Sequence, residues 1–279
     1  MVDKFTVGNV EIGAVLDMIP PPRDPRDFFP EVTKEDWTPY ESDVLVNGQF
    51  QLYCGHFFVR SQGKTIMVDT GMGPGPHATR GNRTGNLINQ LAAKGIRPED
   101  VDMVVHTHLH ADHVGWNLDL SKATPRPNFP NARYLVPRDD WDHFTRPENL
   151  SNAPWVRDSV VPLEALGLMD FFGNGYSITN EVTTLATPGH TPGHVVVLVS
   201  SQGQRAMIVG DVLHSKVQVQ QPSWCAAADT NKSDSMRSRE DLLRRAETQD
   251  YIVAAGHFPL DAHVGRVVAR NGRRYWQPL

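Results

Sequence analysis

The sequence has few cysteines, no long hydrophobic run and no large excess of one charge. Only two of the 279 residues are cysteines, Cys54 and Cys225, which excludes a disulfide framework. The longest aliphatic stretch, Val195–Val199, is far shorter than the roughly eighteen residues of a membrane-spanning helix, so we expect no membrane partner. The 27 basic and 32 acidic residues give a net charge of −5, which disfavours a nucleic-acid partner.

The N-terminal segment does not have the pattern of a secretory signal. Asp3 lies where such a signal has basic residues followed by an apolar stretch. Together with the low cysteine content, this predicts a cytoplasmic protein. A chain of this length buries roughly three quarters of the surface that it exposes when unfolded, so it does not need a metal merely to fold. A metal site in this chain would therefore have another purpose.

Histidine is abundant, with 12 in the chain, and four residues of metal-binding types lie within six positions. They are His108, His110, Asp112 and His113, and they follow a short buried strand predicted over 102–106. Alternate residues of an extended backbone share a face, so the first two point the same way while the last two reach a second point. Imidazoles and carboxylates are ligands of zinc and similar metals. This loop therefore predicts two metal ions rather than one.

Three further candidate ligands lie at predicted strand ends, and each directly follows a glycine. They are His190, Asp211 and His257. A residue without Cβ lets the backbone turn tightly and approach a metal closely. Taken one at a time, each is also compatible with an ordinary surface or hydrogen-bonded residue, so the pattern alone leaves their role open.

Predicted strands and helices alternate along the chain, which indicates a mixed α/β architecture in one domain, residues 1–279. After an N-terminal hairpin, 5–7 and 10–15, the predicted strands are 51–60, 65–68, 102–106, 133–136, 181–186, 195–200, 205–209 and 251–255. The predicted helices are 86–94, 138–144, 158–166 and 237–248. Residues 20–40 contain six prolines and no periodic pattern. We therefore expect an ordered arm or lid, at about 17–45, that wraps the body of the protein.

The segment His108–His113 is an intact His-x-His-x-Asp-His motif, and in this the chain resembles the metallo-β-lactamase superfamily. The resemblance extends over about 50–263, because the other characteristic positions of that family follow in the right order: Asp69 in Val-Asp-Thr-Gly, then His190, Asp211 and His257. It implies an αββα sandwich with the metal site at one edge of two packed mixed sheets.

The resemblance also implies which side chains bind each of two zinc ions. One ion would be held by His108, His110 and His190. The other would be held by Asp112, His113 and His257, with Asp211 bridging the two. Asp69 would support the ligand loop rather than bind metal, and we expect His194 to be a supporting or structural residue and His106 a structural one.

The sequence around Asp211 is similar to one branch of the superfamily. Gly210–His214 and Gly256–Pro259 resemble the branch of N-acyl-homoserine-lactone lactonases and methyl-parathion-hydrolase-like enzymes. Aspartate rather than cysteine occupies the bridging position, unlike the lactam-cleaving pattern. Lactonases of the branch often place tyrosine three residues after the bridging aspartate, where this chain has His214. This imidazole either donates to a carbonyl or phosphoryl oxygen or simply packs there. The same branch suggests a homodimer formed through the N-terminal arm.

These observations predict a dinuclear zinc hydrolase acting on a small-molecule substrate. A hydroxide bridging the metals would attack an ester or lactone bond, with Asp112 and His214 as the catalytic side chains and Asp112 passing a proton to the leaving group. Iron, manganese or cobalt are alternative metals. The alternative functions are a phosphotriesterase of the methyl-parathion-hydrolase type and an iron-dependent oxidoreductase on the same scaffold.

Six aromatic residues lie in segments outside the predicted sandwich and are candidates for shaping the substrate pocket. They are Trp37, Trp116, Phe129, Trp141, Trp155 and Trp224. Such residues more often fill a core than touch a substrate. Together they favour an apolar pocket beside the metals and a fairly apolar ester or lactone as substrate.

Overall fold

The computed structural model describes residues 2–122 and 124–279. The strands are β1 Lys4–Val7, β2 Val10–Met18, β3 Cys54–Ser61, β4 Lys64–Val68, β5 Met103–Val105, β6 Leu118–Asp119, β7 Arg126–Pro127, β8 Arg133–Pro137, β9 Met169–Phe172, β10 Val182–Ala186, β11 Val195–Ser201, β12 Gln204–Ile208, β13 Ile252–Ala254, β14 Val264–Arg270 and β15 Arg273–Pro278. The α-helices are α1 Pro25–Phe28, α2 Lys34–Trp37, α3 Glu41–Val44, α4 Leu87–Ala93, α5 Ala111–Val114, α6 Arg138–Phe144, α7 Pro147–Leu150, α8 Pro154–Ser159, α9 Val161–Ala165, α10 Val217–Gln220 and α11 Lys232–Thr248.

The strands form two large mixed sheets and one small hairpin-like pair. The first sheet has seven strands in the order β1-β2-β3-β4-β5-β8-β9, and the second has six, β10 to β15 in chain order. In the first sheet β4 is parallel to β5, β5 to β8 and β8 to β9, and in the second sheet β12 is parallel to β13. The other neighbouring pairs are antiparallel. Strands β6 and β7 pair separately.

The two sheets pack face to face because their strands alternate between two apolar environments. In β12, Ala206 and Ile208 join a buried cluster that also contains Val59 and Ile66 of the first sheet. The residue between them, Met207, faces the opposite way, into a second buried cluster. The main core therefore lies between the sheets.

Helices cover both outer faces of this pair of sheets. On the first sheet, Leu87 and Leu91 of α4 pack with Met67 in one buried cluster. On the second sheet, Leu242 and Leu243 of α11 pack in the cluster that contains Met207. The layers are thus helix, sheet, sheet and helix, and the αββα sandwich that the sequence predicted is confirmed.

Two helix predictions need correction. The predicted helix 158–166 is wrong, since α8 ends at Ser159 and α9 begins at Val161. Pro162 lies in the first turn of α9, and because proline lacks an N–H and clashes with the preceding turn it starts a helix rather than continuing one. Helix α11 begins five residues earlier than predicted, because the side chain of Asn231 caps it by accepting from the Asp234 amide. The strands β6, β7, β9, β14 and β15 were not predicted.

The segment predicted as an arm, 17–45, consists of the end of β2 and three one-turn helices, α1 to α3. Phe29 and Trp37 pack there with Phe50 and with Trp224, which follows α10. This aromatic cluster fixes α1 beside the carboxyl ends of the sheets. Among the described residues, no helix combines the length and apolar character that a membrane crossing requires.

Candidate metal centre

The seven candidate ligands meet at one edge of the sandwich. Strands β4 and β5 are parallel, and so are β12 and β13, so their carboxyl ends open onto the same edge. The histidine-rich loop follows β5, Asp211 follows β12, and His257 follows β13, while His190 lies in the turn between β10 and β11. Both sheets therefore contribute side chains to the site.

Glycines before the candidate ligands allow close approach of the backbone. Gly210 has φ of +50°, and a Cβ there would lie 2.7 Å from Nε2 of His194. Gly189 has φ of +135°, and a Cβ there would lie 2.1 Å from the Ser235 amide nitrogen. Larger residues at either position would displace the turn that presents Asp211 or His190.

The first group of candidate ligands is His108, His110, His190 and Asp211, whose ligand atoms all lie within 4.8 Å of one another. Nδ1 of His110 lies 3.2 Å from Nε2 of His108 and 2.9 Å from Nε2 of His190. Oδ2 of Asp211 lies 3.1 Å from the same atom of His190. Three imidazole nitrogens and a carboxylate oxygen therefore face a common point.

The second group is Asp112, His113 and His257, and Asp211 connects it to the first. Oδ1 of Asp211 lies 2.9 Å from Nε2 of His257 and 3.1 Å from Nε2 of His113. Oδ1 of Asp112 lies 3.8 Å from that nitrogen of His113. Asp211 thus turns one oxygen toward each group.

Three of these imidazoles donate through Nδ1 away from the site, which leaves Nε2 facing inward. His190 donates to Oδ1 of Asp229 at 2.7 Å, and His257 donates to the carbonyl of Tyr53 at 2.6 Å. His113 donates to Oδ2 of Asp69 at 2.9 Å. Such bonds fix the tautomer and the ring orientation of a metal-binding histidine.

Asp69 also ties its own loop to the histidine-rich loop. The amide and the hydroxyl of Thr107 donate to its two carboxylate oxygens, both at 2.7 Å. The pKa of Asp69 is lowered, because the neighbouring His113 and His106 outweigh the effect of burial. A charged carboxylate therefore stands behind His113, as the sequence-based hypothesis of a supporting role requires.

The ligand atoms that face the centre of the site are better satisfied by metal ions than by protons. Burial is the main cause that lowers the pKa of His110 to about 3, so this ring is neutral at pH 7. Nδ1 of His110 lies 2.9 Å from Nε2 of His190, so in the metal-free site a single proton on His190 serves two ligand nitrogens. Nε2 of His113 is buried and makes no hydrogen bond within the described residues. A divalent cation would satisfy these inward lone pairs at once.

His194 and His106 lie beside the candidate ligands without facing them. Nε2 of His194 accepts from the amide of Asp211 at 2.9 Å, and its Nδ1 pairs with the hydroxyl of Thr187 at 2.8 Å. Nε2 of His106 pairs with the side-chain amide of Asn117 at 3.0 Å. Both rings are fully buried, so they hold the backbone and the core rather than reach the cavity.

His214 is buried against the site and faces it. Its Nε2 lies 3.1 Å from Oδ2 of Asp211, and its ring stacks on that of His257 with a centroid distance of 5.3 Å. Burial lowers the pKa of His214 to about 4 despite the Asp211 carboxylate, so the ring is neutral at pH 7. The amide of His214 donates to the side chain of Gln218 at 2.7 Å, which fixes the turn.

A cavity of about 320 Å³ opens above these residues. Its floor contains candidate ligands from both groups, among them His110, Asp112 and Asp211. Its walls combine apolar and charged side chains, which are Arg23, Asp27, Phe28, Leu52, Arg80, Ala111, Trp155, Ala227 and Ala228. The predicted apolar pocket therefore describes only part of the wall.

Of the six aromatic residues proposed from the sequence, Trp155 lines this cavity, and its indole N–H donates to the carbonyl of Leu109 at 2.7 Å. The other five are not among the residues that line it. They pack in hydrophobic clusters instead, and they are Trp37, Trp116, Phe129, Trp141 and Trp224. Phe28 lines the cavity instead, and its ring meets that of His214 edge-on at 5.1 Å.

Sequence reasoning missed two buried carboxylates that hold the ligand loops. Asp229 accepts from His190 and from Ser235, and it lies 3.4 Å from the fully buried guanidinium of Arg239. Asp140 accepts from the amide of Leu109 at 2.9 Å and from the hydroxyl of Thr191, so it joins the two loops that bear the first group. Asp140 lies in the first turn of α6 and Asp229 lies three residues before α11. Acidic residues are common near the start of a helix, so no sequence signal singled these two out.

Comparisons with known proteins agree with this geometry. The family model of the metallo-beta-lactamase superfamily matches residues 56–257. The N-acyl homoserine lactonase AttM of Rhizobium radiobacter is 30% identical over 183 residues, which are 62% of this chain and 64% of the relative. Metallo-beta-lactamase domain-containing protein 1 of Mus musculus is 34% identical over 195 residues, 69% of this chain and 58% of the relative. The chain thus spans less than two thirds of the length of either relative.

Among solved structures, AidC, a dizinc quorum-quenching lactonase in complex with a product, superposes with a TM-score of 0.85. The alignment covers 99% of this chain and 96% of AidC at 22% sequence identity, which shows a shared fold. The family match, the shared fold and the convergence of the His-x-His-x-Asp-His loop with the later histidines and aspartate lead to one conclusion. The chain belongs to the metallo-β-lactamase superfamily.

Proposed function

We propose that this protein is a dinuclear zinc hydrolase that opens ester or lactone bonds of small molecules. The observation that supports the proposal is the pair of candidate ligand groups that share Asp211 at the floor of the 320 Å³ cavity. A single-metal site would need only one such group. The two groups, both reachable from one cavity, instead suit a reaction that two cations promote together.

The residues of the first ion would be His108, His110 and His190, and those of the second Asp112, His113 and His257, with Asp211 shared. When bound, two zinc ions lower the pKa of a coordinated water toward neutrality and polarise the oxygen of the bond under attack. No nucleophilic side chain of the protein is then required, which agrees with the absence of a serine or cysteine from the described cavity lining.

Asp112 and His214 are the side chains placed to move or hold a proton. Asp112 lines the cavity and its side chain is 16% exposed, so one of its oxygens is accessible to a leaving group. Its pKa is lowered, because His113 and His257 outweigh the effect of burial, so the carboxylate is charged at neutral pH. It would take a proton from the attacking water and pass it to the leaving oxygen. His214 is neutral and lines the cavity beside Asp211. Its Nε2 lies 3.1 Å from Asp211, and with that carboxylate bound to metal the N–H would be free to donate to a carbonyl oxygen.

Two kinds of relative support the lactone or ester as substrate. AttM and further curated relatives are N-acyl homoserine lactonases, and the solved AidC holds the ring-opened product of such a lactone. In this chain, Phe28, Leu52 and Trp155 give the cavity an apolar side that suits an acyl chain. The substrate, the zinc and the roles of the individual side chains are parts of the proposal.

The test combines metal analysis with a panel of substrates. Purified protein is stripped with a chelator, reloaded with zinc, and assayed on an N-acyl homoserine lactone, an aryl ester, a phosphotriester and a β-lactam. We expect about two zinc ions per chain and zinc-dependent turnover of the lactone or the aryl ester. One iron per chain without any hydrolysis would overturn the proposal in favour of an oxidoreductase, and turnover confined to the phosphotriester would replace the substrate class.

A further inference from the structure

Two arginines that the catalytic machinery does not use lie in the wall of the cavity. Arg23 precedes α1 in the arm, and Arg80 lies in the 3-10 turn Ala78–Arg80, between β4 and α4. Within the described residues, neither side chain forms an ion pair or hydrogen bond with another protein group. Most other arginines near the surface, such as Arg26 with Asp24, are paired. An unpaired guanidinium in a cavity wall is available to a ligand.

Both arginines are held by structure that does not depend on a ligand. The amide and carbonyl of Arg23 bond to the carbonyl and amide of Phe50 at 3.0 and 2.8 Å, and its guanidinium lies 5.5 Å from the centre of the Phe28 ring. The loop that bears Arg80 is tied at both ends to Asp17, which accepts from the amides of Met72 and Asn86 at 2.7 and 2.9 Å. The two positive charges are therefore presented by two independently anchored segments.

Nearby carboxylates compensate the charge of Arg23 only in part. Burial, and then the charge of Arg80, lower the pKa of Arg23 more than Asp112 and Asp27 raise it. Asp27 shares the cavity wall but is exposed to solvent and forms no ion pair with either arginine. Asp112 would be committed to the second zinc ion. Two like charges held near one another are costly unless an anion lies between or beside them.

We propose that Arg23 and Arg80 bind an anionic group of the substrate, so that the enzyme prefers esters or lactones that carry a carboxylate away from the bond to be broken. This inference rests on the proposed function, whose reacting bond lies over the ligands at the cavity floor. The apolar side chains Phe28, Leu52 and Trp155 contact the part of the substrate between its two polar ends. Guanidinium groups suit this role because their planar donors match a carboxylate in geometry as well as in charge.

The test compares two esters that differ only in charge. The probes are mono-(4-nitrophenyl) adipate and its counterpart in which the free carboxylate is a carboxamide, both assayed with the zinc-loaded protein. We expect kcat/KM to be about tenfold higher for the anionic ester, since a hydrogen bond to a charged group is worth about that factor. The preference is expected to shrink when sodium chloride is raised from 0.05 to 0.5 M, because salt screens exposed charges.

Substitutions test whether the two arginines cause the preference for the anionic ester. In Arg23→Gln and Arg80→Gln we expect KM for the anionic ester to rise about fivefold or more, with kcat nearly unchanged and the carboxamide unaffected. Arg23→Lys is expected to retain part of the preference because it keeps the charge. Arg83→Gln is the matched control, since Arg83 is exposed three residues after Arg80 and does not line the cavity. Equal kcat/KM for the two esters in the wild type would overturn the inference while leaving the hydrolase function intact.

A binding measurement separates failure of the inference from failure of the proposed function. If neither ester is hydrolysed, calorimetric titration of the zinc-loaded protein with adipate monoamide still reports on the arginines. Binding that is weakened in both glutamine variants but not in Arg83→Gln would support the anion site even then. Binding that is the same in all four proteins, or absent from the wild type, would overturn it.

Discussion

The carboxylate of Asp229 accepts a 2.7 Å hydrogen bond from Nδ1 of His190, and the Arg239 guanidinium lies 3.4 Å from the other oxygen of that carboxylate. Through Asp229, the buried Arg239 of α11 is thus connected to His190, a candidate zinc ligand. The pKa of Asp229 is lowered, because His190 and Arg239 outweigh the effect of burial, so the carboxylate is charged at neutral pH. It holds His190 with Nε2 directed at the site.

Asp229→Asn is expected to weaken zinc binding about 10- to 100-fold, since a carboxylate behind a histidine ligand both orients the ring and raises its basicity. The measurement is competition for zinc against a chromophoric chelator. Asp241→Asn, at an exposed position of α11, is the control. Unchanged zinc affinity in Asp229→Asn would show that His190 does not bind metal through Nε2.

Asp211→Ala removes the carboxylate that faces both candidate ligand groups. We expect the metal content to fall below two per chain and turnover to fall on the order of 10³-fold, because several kcal/mol of transition-state stabilisation depend on the metals. Elemental analysis and the lactone or ester assay report the two effects. A variant that stays fully metallated and active would refute the bridging role of Asp211.

His214→Phe distinguishes a donor from a ligand. If His214 donates to the substrate, turnover falls about 10²–10³-fold while the metal content stays close to that of the wild type. The neutral ring, which stacks on His257, is replaced by an apolar ring of similar size, so the packing against Phe28 is preserved. Loss of one metal ion from this variant would instead identify His214 as a ligand.

The stability of the metal-free protein should depend on pH through His190. Burial lowers the pKa of His190, but the carboxylates of Asp211 and Asp229 raise it to about 9 overall, above the ordinary value of 6.5. A raised pKa stabilises the fold fully below 6.5, and this contribution is lost as the pH rises through about 9. We expect the free energy of unfolding of the chelator-treated protein to decline over that window.

Urea denaturation at pH 6.5, 7.5 and 8.5 measures this decline. In His190→Gln the same series should be flatter, because the variant lacks the titrating group. Zinc binding deprotonates the ring, so the zinc-loaded wild type should show little of the decline. A metal-free wild type that becomes more stable over this window would contradict the assignment of a buried, protonated His190.

Asp17→Ala tests the anchor of the loop that carries Arg80. Asp17 accepts from three backbone amides and the Trp116 indole, and its removal leaves buried donors unpaired. We expect a loss of about 3 kcal/mol in the free energy of unfolding, measured by denaturant titration. Asp158→Ala, at an exposed ion pair with Arg157, should change it by less than about 1 kcal/mol. An equal loss in both variants would contradict the role of Asp17 as an anchor.

The sequence predicted the metal-binding character of the site because its evidence is local. Four residues of metal-binding types in the six positions His108–His113 serve no structural purpose that ordinary residues could not serve. The structure brings them together with His190, Asp211 and His257. The mixed α/β class followed from the alternation of predicted strands and helices, and the αββα layers followed from the family resemblance. Here the pattern of the chain and the packing of the fold agree.

The residues that the sequence could not identify act through packing between distant segments. Asp229 meets His190 across 39 positions of the chain, and Asp140 meets Thr191 across 51. Arg23 and Arg80 lie in segments without periodicity, so only the folded arm and loop show that they border one cavity. The missed β14 and β15 and the divided helix at Pro162 reflect a similar limit, because pairing and helix breaks depend on neighbours as well as on local propensity.

Asp211 reaches the site from the second sheet, whereas His108, His110, Asp112 and His113 reach it from the first. Metal ions bound by residues of both sheets would cross-link the open edge of the sandwich and so connect the N-terminal half of the chain to the C-terminal half. Binding of the metal ions would then complete the active site and join the two sheets at this edge at the same time. A chain emptied of its ions would lose its cross-link at the same edge where its substrate enters.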